Sequence, residues 1–204
     1  MKHLRIYTPI LVGLTVALLS GCATMGVNTA PQSEASSLIY GHLNKEHLKY
    51  SSVVFFFAPW ELANNMGWNT ADDLLNMSKK EKKAAAKALM EEGAWIYWDR
   101  STSTFACPVE KPGDYYLIEL DVMTGNTEFL LYSGLPDREN TIKVEQGGMY
   151  YWGACKLESG DKNNGYALVA DPSVTQLDVL DGVARHLSGK GWDAWINRER
   201  AYLQ

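Results

Sequence analysis

The stretch "KPGDYYLIELDV", residues 111–122, decides the fold class. A Pro-Gly turn opens it, and aromatic and branched residues then alternate with a period of two. In an extended strand Tyr116, Ile118, Leu120 and Val122 share one face. Tyr115, Leu117, Glu119 and Asp121 share the other, which ends polar. Period two behind a turn signal is the pattern of a strand with two different faces to satisfy.

The same pattern spreads in both directions. "SSLIYGHL" (36–43) reads as a first strand. "SSVVFFFAP" (51–59) is a denser apolar run, stopped by Pro59, and reads as a central strand. "AWIYWD" (94–99) and "TSTFACPV" (102–109) follow, then "TEFLLYSG" behind Gly125-Asn126. "TIKVEQGGMYYWGACKLES" gives two strands around Gly147-Gly148, and "DKNNG" turns into "YALVAD". Turn signals every 8–12 residues predict a mainly β chain, a β-sandwich of about seven to nine strands.

Two segments depart from period two. Between residues 71 and 92, Thr70 with Asp73 and Ser78 with Glu81 are capping patterns. "KKEKKAAAKALMEE" holds strong helix formers up to Gly93. One or two helices are expected there as an insertion, with Lys79 to Lys87 as a solvated face. At the end, Asp171-Pro172-Ser173 is read as a helix start, followed by Val174, Leu177, Leu180, Val183 and Leu187 at helical spacing. Gly189 and Gly191 break that helix. "GWDAWINRERAYL" resumes it, giving a helical tail that covers the sandwich or packs against its edge.

The N-terminus is of another kind. Lys2 and Arg5 precede an apolar run over residues 6–19, shorter than the roughly 20 residues a membrane-spanning helix needs. Leu19-Ser20-Gly21-Cys22 resembles the bacterial lipobox. The resemblance implies cleavage between Gly21 and Cys22, lipidation of the Cys22 thiol, and attachment to a bilayer through the acylated cysteine. Ala23, where an Asp resembles an inner-membrane retention signal, points to the outer membrane facing the periplasm. The expected organisation is therefore a signal peptide at 1–21, a lipidated flexible tether at 22–37, and one sandwich domain at 38–204.

Cleavage at this point changes two counts. Without Lys2 and Arg5 the mature chain holds 17 basic against 24 acidic residues, a net of −7. That acidity argues against nucleic acid as a partner. With Cys22 lipidated, Cys107 and Cys155 remain as an even pair, each on the more apolar face of an expected strand. An oxidising compartment permits a disulfide between them. It would close a loop of roughly 49 residues and contribute about 4 kcal/mol in the chain-entropy picture.

Two motifs carry a further resemblance. "KPGDYYLIELDV" is similar to the PGxYxL hairpin of prealbumin-like modules, such as the regulatory domain attached to carboxypeptidases. Gly113, Tyr115 and Leu117 are the matching residues. "TIKVEQGGMYYWGACKLE" resembles a strand pair found in many uncharacterised bacterial lipoproteins, through Ile142, Val144, Gly147, Tyr150 and Gly153. These residues make turns and core, so the resemblance implies a β-sandwich and carries no catalytic residue across.

A search for chemistry finds little. The sequence holds no HExxH, GxSxG or phosphate-loop motif. His42 and His47 are five apart, which suits neither a helix face nor a strand face. Cys107 with His186, and Glu119 with Asp121, are pairs without a supporting pattern. No catalytic residue, metal ligand or cofactor is expected, and the ligand-binding residues stay unassigned. Seven Trp and eleven Tyr are the most suggestive class. They either pack where sandwich and helices join or offer flat rings to a glycan. The leading expectation is a non-enzymatic, lipid-anchored envelope protein that contacts an envelope protein. The alternatives are a module binding peptidoglycan or polysaccharide through exposed Trp and Tyr, and a hydrolase with an unfamiliar acidic site.

Overall fold

The computed structural model describes residues 30–44, 46, 51–67, 77–124, 127–132, 141–159 and 166–204. Cys22 and the rest of the lipobox lie outside them. So do His47, Trp68, the Thr70–Asp73 pattern, Gly125-Asn126 and the turn at 161–165. The side chains of Glu119 and Asp121 are likewise outside what is described.

The described chain is mainly β, as expected. β1 (Ser37–Leu43), β4 (Thr104–Val109), β8 (Met149–Ser159) and β9 (Tyr166–Ala170) form one sheet in the order β4-β1-β8-β9. β2 (Ser51–Pro59), β3 (Ala94–Tyr97), β5 (Gly113–Thr124) and β6 (Thr127–Tyr132) form the second, in the order β3-β2-β5-β6. β7 (Thr141–Val144) also pairs with β5. Among the described residues the helices are α1 (Trp60–Met66), α2 (Lys79–Glu92), α3 (Gln176–His186) and α4 (Asp193–Leu203).

The helices fall in two layers. Val53, Phe55 and Phe57 of β2 face the other sheet, in a core that continues through β1 and β4 to Val179, Val183 and Ile196 of α3 and α4. Val54, Phe56 and Ala58 face the opposite way, onto Leu62 and Ala63 of α1 and Ala85 and Leu89 of α2. The order is helix, sheet, sheet, helix. This explains why "SSVVFFFAP" is apolar without alternation: both faces of β2 are covered. The predicted tail helices do lie over the sandwich, on the sheet that contains β1.

Three local readings change. First, the alternation along β5 is interrupted. Phe56 pairs with Glu119 but Phe57 with Leu117, so Ile118 is an extra residue. This bulge puts Tyr115, Leu117 and Leu120 into the inter-sheet core and Tyr116 and Ile118 under α1 and α2. Leu120 therefore leaves the face that strict alternation gives it. Second, neither the Pro-Gly turn at 112–113 nor Gly147-Gly148 closes a hairpin, whereas β5 and β6 on either side of Gly125-Asn126 do pair antiparallel. β4 and β5 flank the Pro-Gly turn in different sheets, and so do β7 and β8 around Gly147-Gly148. Both turns are corners that carry the chain across the sandwich. Third, α3 starts later than Asp171. Thr175 is its N-cap, and the Thr175 and Asp178 side chains each bond the other's backbone N–H.

The insertion divides similarly. α2 has the expected capping box between Ser78 and Glu81, and its Lys79, Lys80, Lys83 and Lys87 are exposed. α1 lies before the expected insert, starting directly after Pro59. Its C-cap Gly67 adopts φ 72°, a left-handed conformation that glycine takes without steric cost.

The expected tether at 22–37 lies outside the described residues up to position 29; its last part is described. Residues 30–36 form a strap fixed to three parts of the domain. Gln32 Nε2 donates to Glu110 at 2.6 Å, Gly147 N donates to Ala35 O at 3.0 Å, and Trp195 Nε1 donates to Ser36 O at 2.9 Å. Pro31 and Ala30 lie against Gly191, where an added Cβ would come within 3.3 Å of the proline ring.

Candidate functional site

Polar side chains gather at three places around the sheet that contains β1. The first joins α3 to the turn between β3 and β4. His186, in the last turn of α3, places Nδ1 3.2 Å from Asp99 Oδ2. The carboxylate also accepts from Ser101 N at 3.0 Å, from the Ser101 hydroxyl at 2.8 Å and from the Thr102 hydroxyl at 2.6 Å. Burial pushes the Asp99 carboxyl up. The bonds from Thr102 and Ser101, with His186 beside them, outweigh this and hold it at about 2. Burial lowers the His186 imidazole, and the Asp99 charge offsets only part of that. At neutral pH the contact is therefore a neutral imidazole N–H donating to a carboxylate.

The second lies across the same sheet, where β9 ends beside the end of β1. Asp171 is buried and accepts from Ser173 N at 3.1 Å, the Ser173 hydroxyl at 2.5 Å and Asn44 Nδ2 at 3.1 Å. Hydrogen bonding from Ser173 lowers its carboxyl despite burial. His42, on β1, has its imidazole lowered by burial, partly countered by Asp171. Its buried Nδ1 has no partner among the described residues.

The third lies between β1 and the tail helices. Tyr40 donates its hydroxyl to Glu199 Oε1 at 2.9 Å. Gln176 Nε2 donates to both, at 2.9 Å and 3.1 Å. The Tyr40 ring packs on Tyr151 at 5.5 Å between centroids. Burial raises the Tyr40 phenol far above its ordinary value, so it stays a donor at every physiological pH.

Apart from His42 Nδ1, these groups are hydrogen-bonded to one another. The Ser101 hydroxyl bonds Asp99 and not the imidazole, so it is not placed as a nucleophile on His186. Among the described residues no three His, Cys, Asp or Glu side chains are placed to hold a metal ion. A shallow depression of about 560 Å³ lies on the outer side of α3 and α4, lined by Asp181, Ala184, Arg185, Ser188 and Arg200. Arg200 bonds Asp181 across it at 2.6 Å.

The expected cysteine bridge does not form. Cys107 pairs with Ile39 on one side of β1, and Cys155 with Leu43 on its other side. Two strand spacings and four residues of offset put their Cα atoms roughly 16 Å apart, against a bridging limit near 7 Å. Burial pushes the Cys107 thiol well up, so Cys107 behaves as a small apolar core residue. Both cysteines lie in strands, as expected, but β1 runs between those strands.

The aromatic class is mostly internal. Trp98 and Trp192 are buried, and Trp60, Trp95, Trp152 and Trp195 are half-buried. Trp152 is the unpaired residue of a bulge in β8, and its indole meets Phe55, Phe57 and Phe105 edge-on at 5.7–6.3 Å. Among described residues the largest exposed aromatic is Tyr202 near the C-terminus, at 85%. Period-two reading could not single out Asp99, Asp171 or Gln176, which matter through tertiary contacts. The local signals are Asp99-Arg100-Ser101-Thr102 and Asp171-Pro172-Ser173, both turn-forming runs. Comparison with known protein families, curated proteins and solved structures finds no match for this chain.

Proposed function

We propose that this chain is a non-enzymatic envelope lipoprotein, acylated on Cys22 after cleavage behind Gly21 and held in the outer membrane facing the periplasm. The observation that carries the reading is the Leu19-Ser20-Gly21-Cys22 run behind a basic start and a short apolar segment, eight residues ahead of the folded domain at Ala30. Several acyl chains, at roughly 0.8 kcal/mol per buried CH₂, hold such a protein in a bilayer. The role that fits is contact with another envelope protein. Asp99, Asp171 and Glu199 are each spent on internal hydrogen bonds, which supports a binding role over hydrolysis. The buried state of Trp98 and Trp192 gives those rings no access to a glycan.

The test is incorporation of a palmitate analogue into the chain expressed with its own N-terminus. The wild type should carry the label and float with membranes. Cys22→Ala should lose the label and appear in the soluble fraction. A Cys22→Ala protein that still floats would remove the lipid anchor from the account.

A further inference from the structure

The strap decides which side of the domain can meet a membrane. Two surfaces compete. α2 exposes Lys79, Lys80, Lys83 and Lys87 on the outer face of one sheet. The outer side of α3 and α4, over the other sheet, carries exposed Arg185 and half-buried Lys190 and Arg200. Charge alone favours α2 as the surface for lipid phosphates.

Reach favours the other side. The chain enters the domain in the α3–α4 layer, where Ala30 and Pro31 lie against Gly191, just ahead of α4. Eight peptide steps separate Cys22 from Ala30. Whatever conformation they adopt, they span at most about 29 Å. From the α3–α4 layer to the outer surface of α2 the path crosses three layer spacings and half a helix, about 35 Å in a straight line. The route around the flank is longer.

We propose that the acylated protein sits with its α3–α4 side toward the bilayer and holds α2 away from it. A phospholipid headgroup surface is then the neighbour of Arg185 and of the connection at 188–191, including Lys190. The lysine face of α2 points into the compartment, open to an acidic partner. This inference rests on the lipoprotein reading and adds an orientation to it.

The experiment uses the lipidated full-length chain with Cys155→Ser, reconstituted in phosphatidylethanolamine–phosphatidylglycerol vesicles that carry a nitroxide on the headgroup. A fluorophore is placed on Ser188→Cys or on Lys83→Cys, both exposed positions. Quenching at least threefold greater at 188 than at 83 is expected. Equal quenching, or more at 83, overturns the orientation. Insertion of twenty Gly and Ser residues between Asn28 and Thr29 should abolish the difference. A difference that survives the insertion would show that tether reach is not its cause, and would overturn the argument. Vesicle flotation is read first: a chain that does not float sinks the anchor and the orientation together, whereas a floating chain with equal quenching sinks only the orientation.

Discussion

His186 Nδ1 lies 3.2 Å from Asp99 Oδ2, tying the end of α3 to the turn that passes from one sheet to the other. The pair makes stability pH-dependent in one direction. Asp99 is held at about 2, below its ordinary 3.8, so its contribution is complete above pH 3.8 and is lost as pH falls toward 2. His186 is also lowered from 6.5, so its contribution is present above pH 6.5 and is lost as pH falls through its folded value. Both groups favour unfolding on acidification. Urea midpoints measured from pH 7.5 to 3 should fall steadily. In Asp99→Asn the fall below pH 4 should be shallower, with a cost at pH 7 of about 1–3 kcal/mol from the disrupted bonds. An unchanged slope in that variant would remove Asp99 from the account.

Gly41 gives a second prediction. A Cβ there would lie 2.5 Å from Phe105 Cζ and 2.9 Å from Gly153 O. The missing side chain lets the Phe105 ring cross β1 and stack on Phe55 at 4.0 Å between centroids. Gly41→Ala should destabilise by about 1–3 kcal/mol through overpacking. In a double-mutant cycle with Phe105→Leu the two costs should add to less than their sum. Strict additivity would mean that the clash is relieved somewhere other than at Phe105.

The thiols give a third. With Cys107 and Cys155 on opposite sides of β1, a reducing agent should leave the thermal midpoint unchanged. A bridge closing that loop would contribute about 4 kcal/mol, enough to shift the midpoint by several degrees. Alkylation of Cys107 should require unfolding, because it is fully buried. A reductant-sensitive midpoint would show that the strands flanking β1 are arranged differently.

How far the sequence could be read follows from which interactions are local. The strands at Ser37–Leu43 and Ser51–Pro59 are visible because burial imposes a period of two, or removes it, over several residues. Gly147-Gly148 is visible as a turn because Gly147, at φ 74°, takes a conformation that suits glycine. Whether that turn closes a hairpin or a corner depends on partners far along the chain: β5 for Thr141–Val144, β1 and β9 for Met149–Ser159. The same limit hides the Ile118 bulge, since an extra residue is defined only against Phe56 and Phe57 opposite. The candidate polar clusters were almost illegible for that reason. Asp99 and His186 are 87 positions apart, and nothing near either residue announces the other.

The strap was hidden most completely, because "APQSEASS" has the composition of a linker. It is ordered by groups outside itself: Trp195 Nε1 on Ser36 O, Gly147 N on Ala35 O, and Gln32 on Glu110. A chain beginning at Ala30 should therefore be as stable as one beginning at Cys22. A chain beginning at Ser37 should lose about 1–3 kcal/mol, chiefly because Trp195 Nε1 gives up its strap acceptor; Gly147 N loses Ala35 O but keeps the Ser37 hydroxyl at 3.1 Å. Trp195→Phe, which removes one donor and keeps the ring, should account for about 1 kcal/mol of that loss. Its cost should vanish in the chain that begins at Ser37. Chemical denaturation of the five proteins (the three chains, Trp195→Phe, and Trp195→Phe in the chain that begins at Ser37) measures each step. Equal stability of the Ala30 and Ser37 chains would return these residues to the tether, lengthen its reach past α2, and withdraw the geometric basis for placing α3 and α4 beside the membrane.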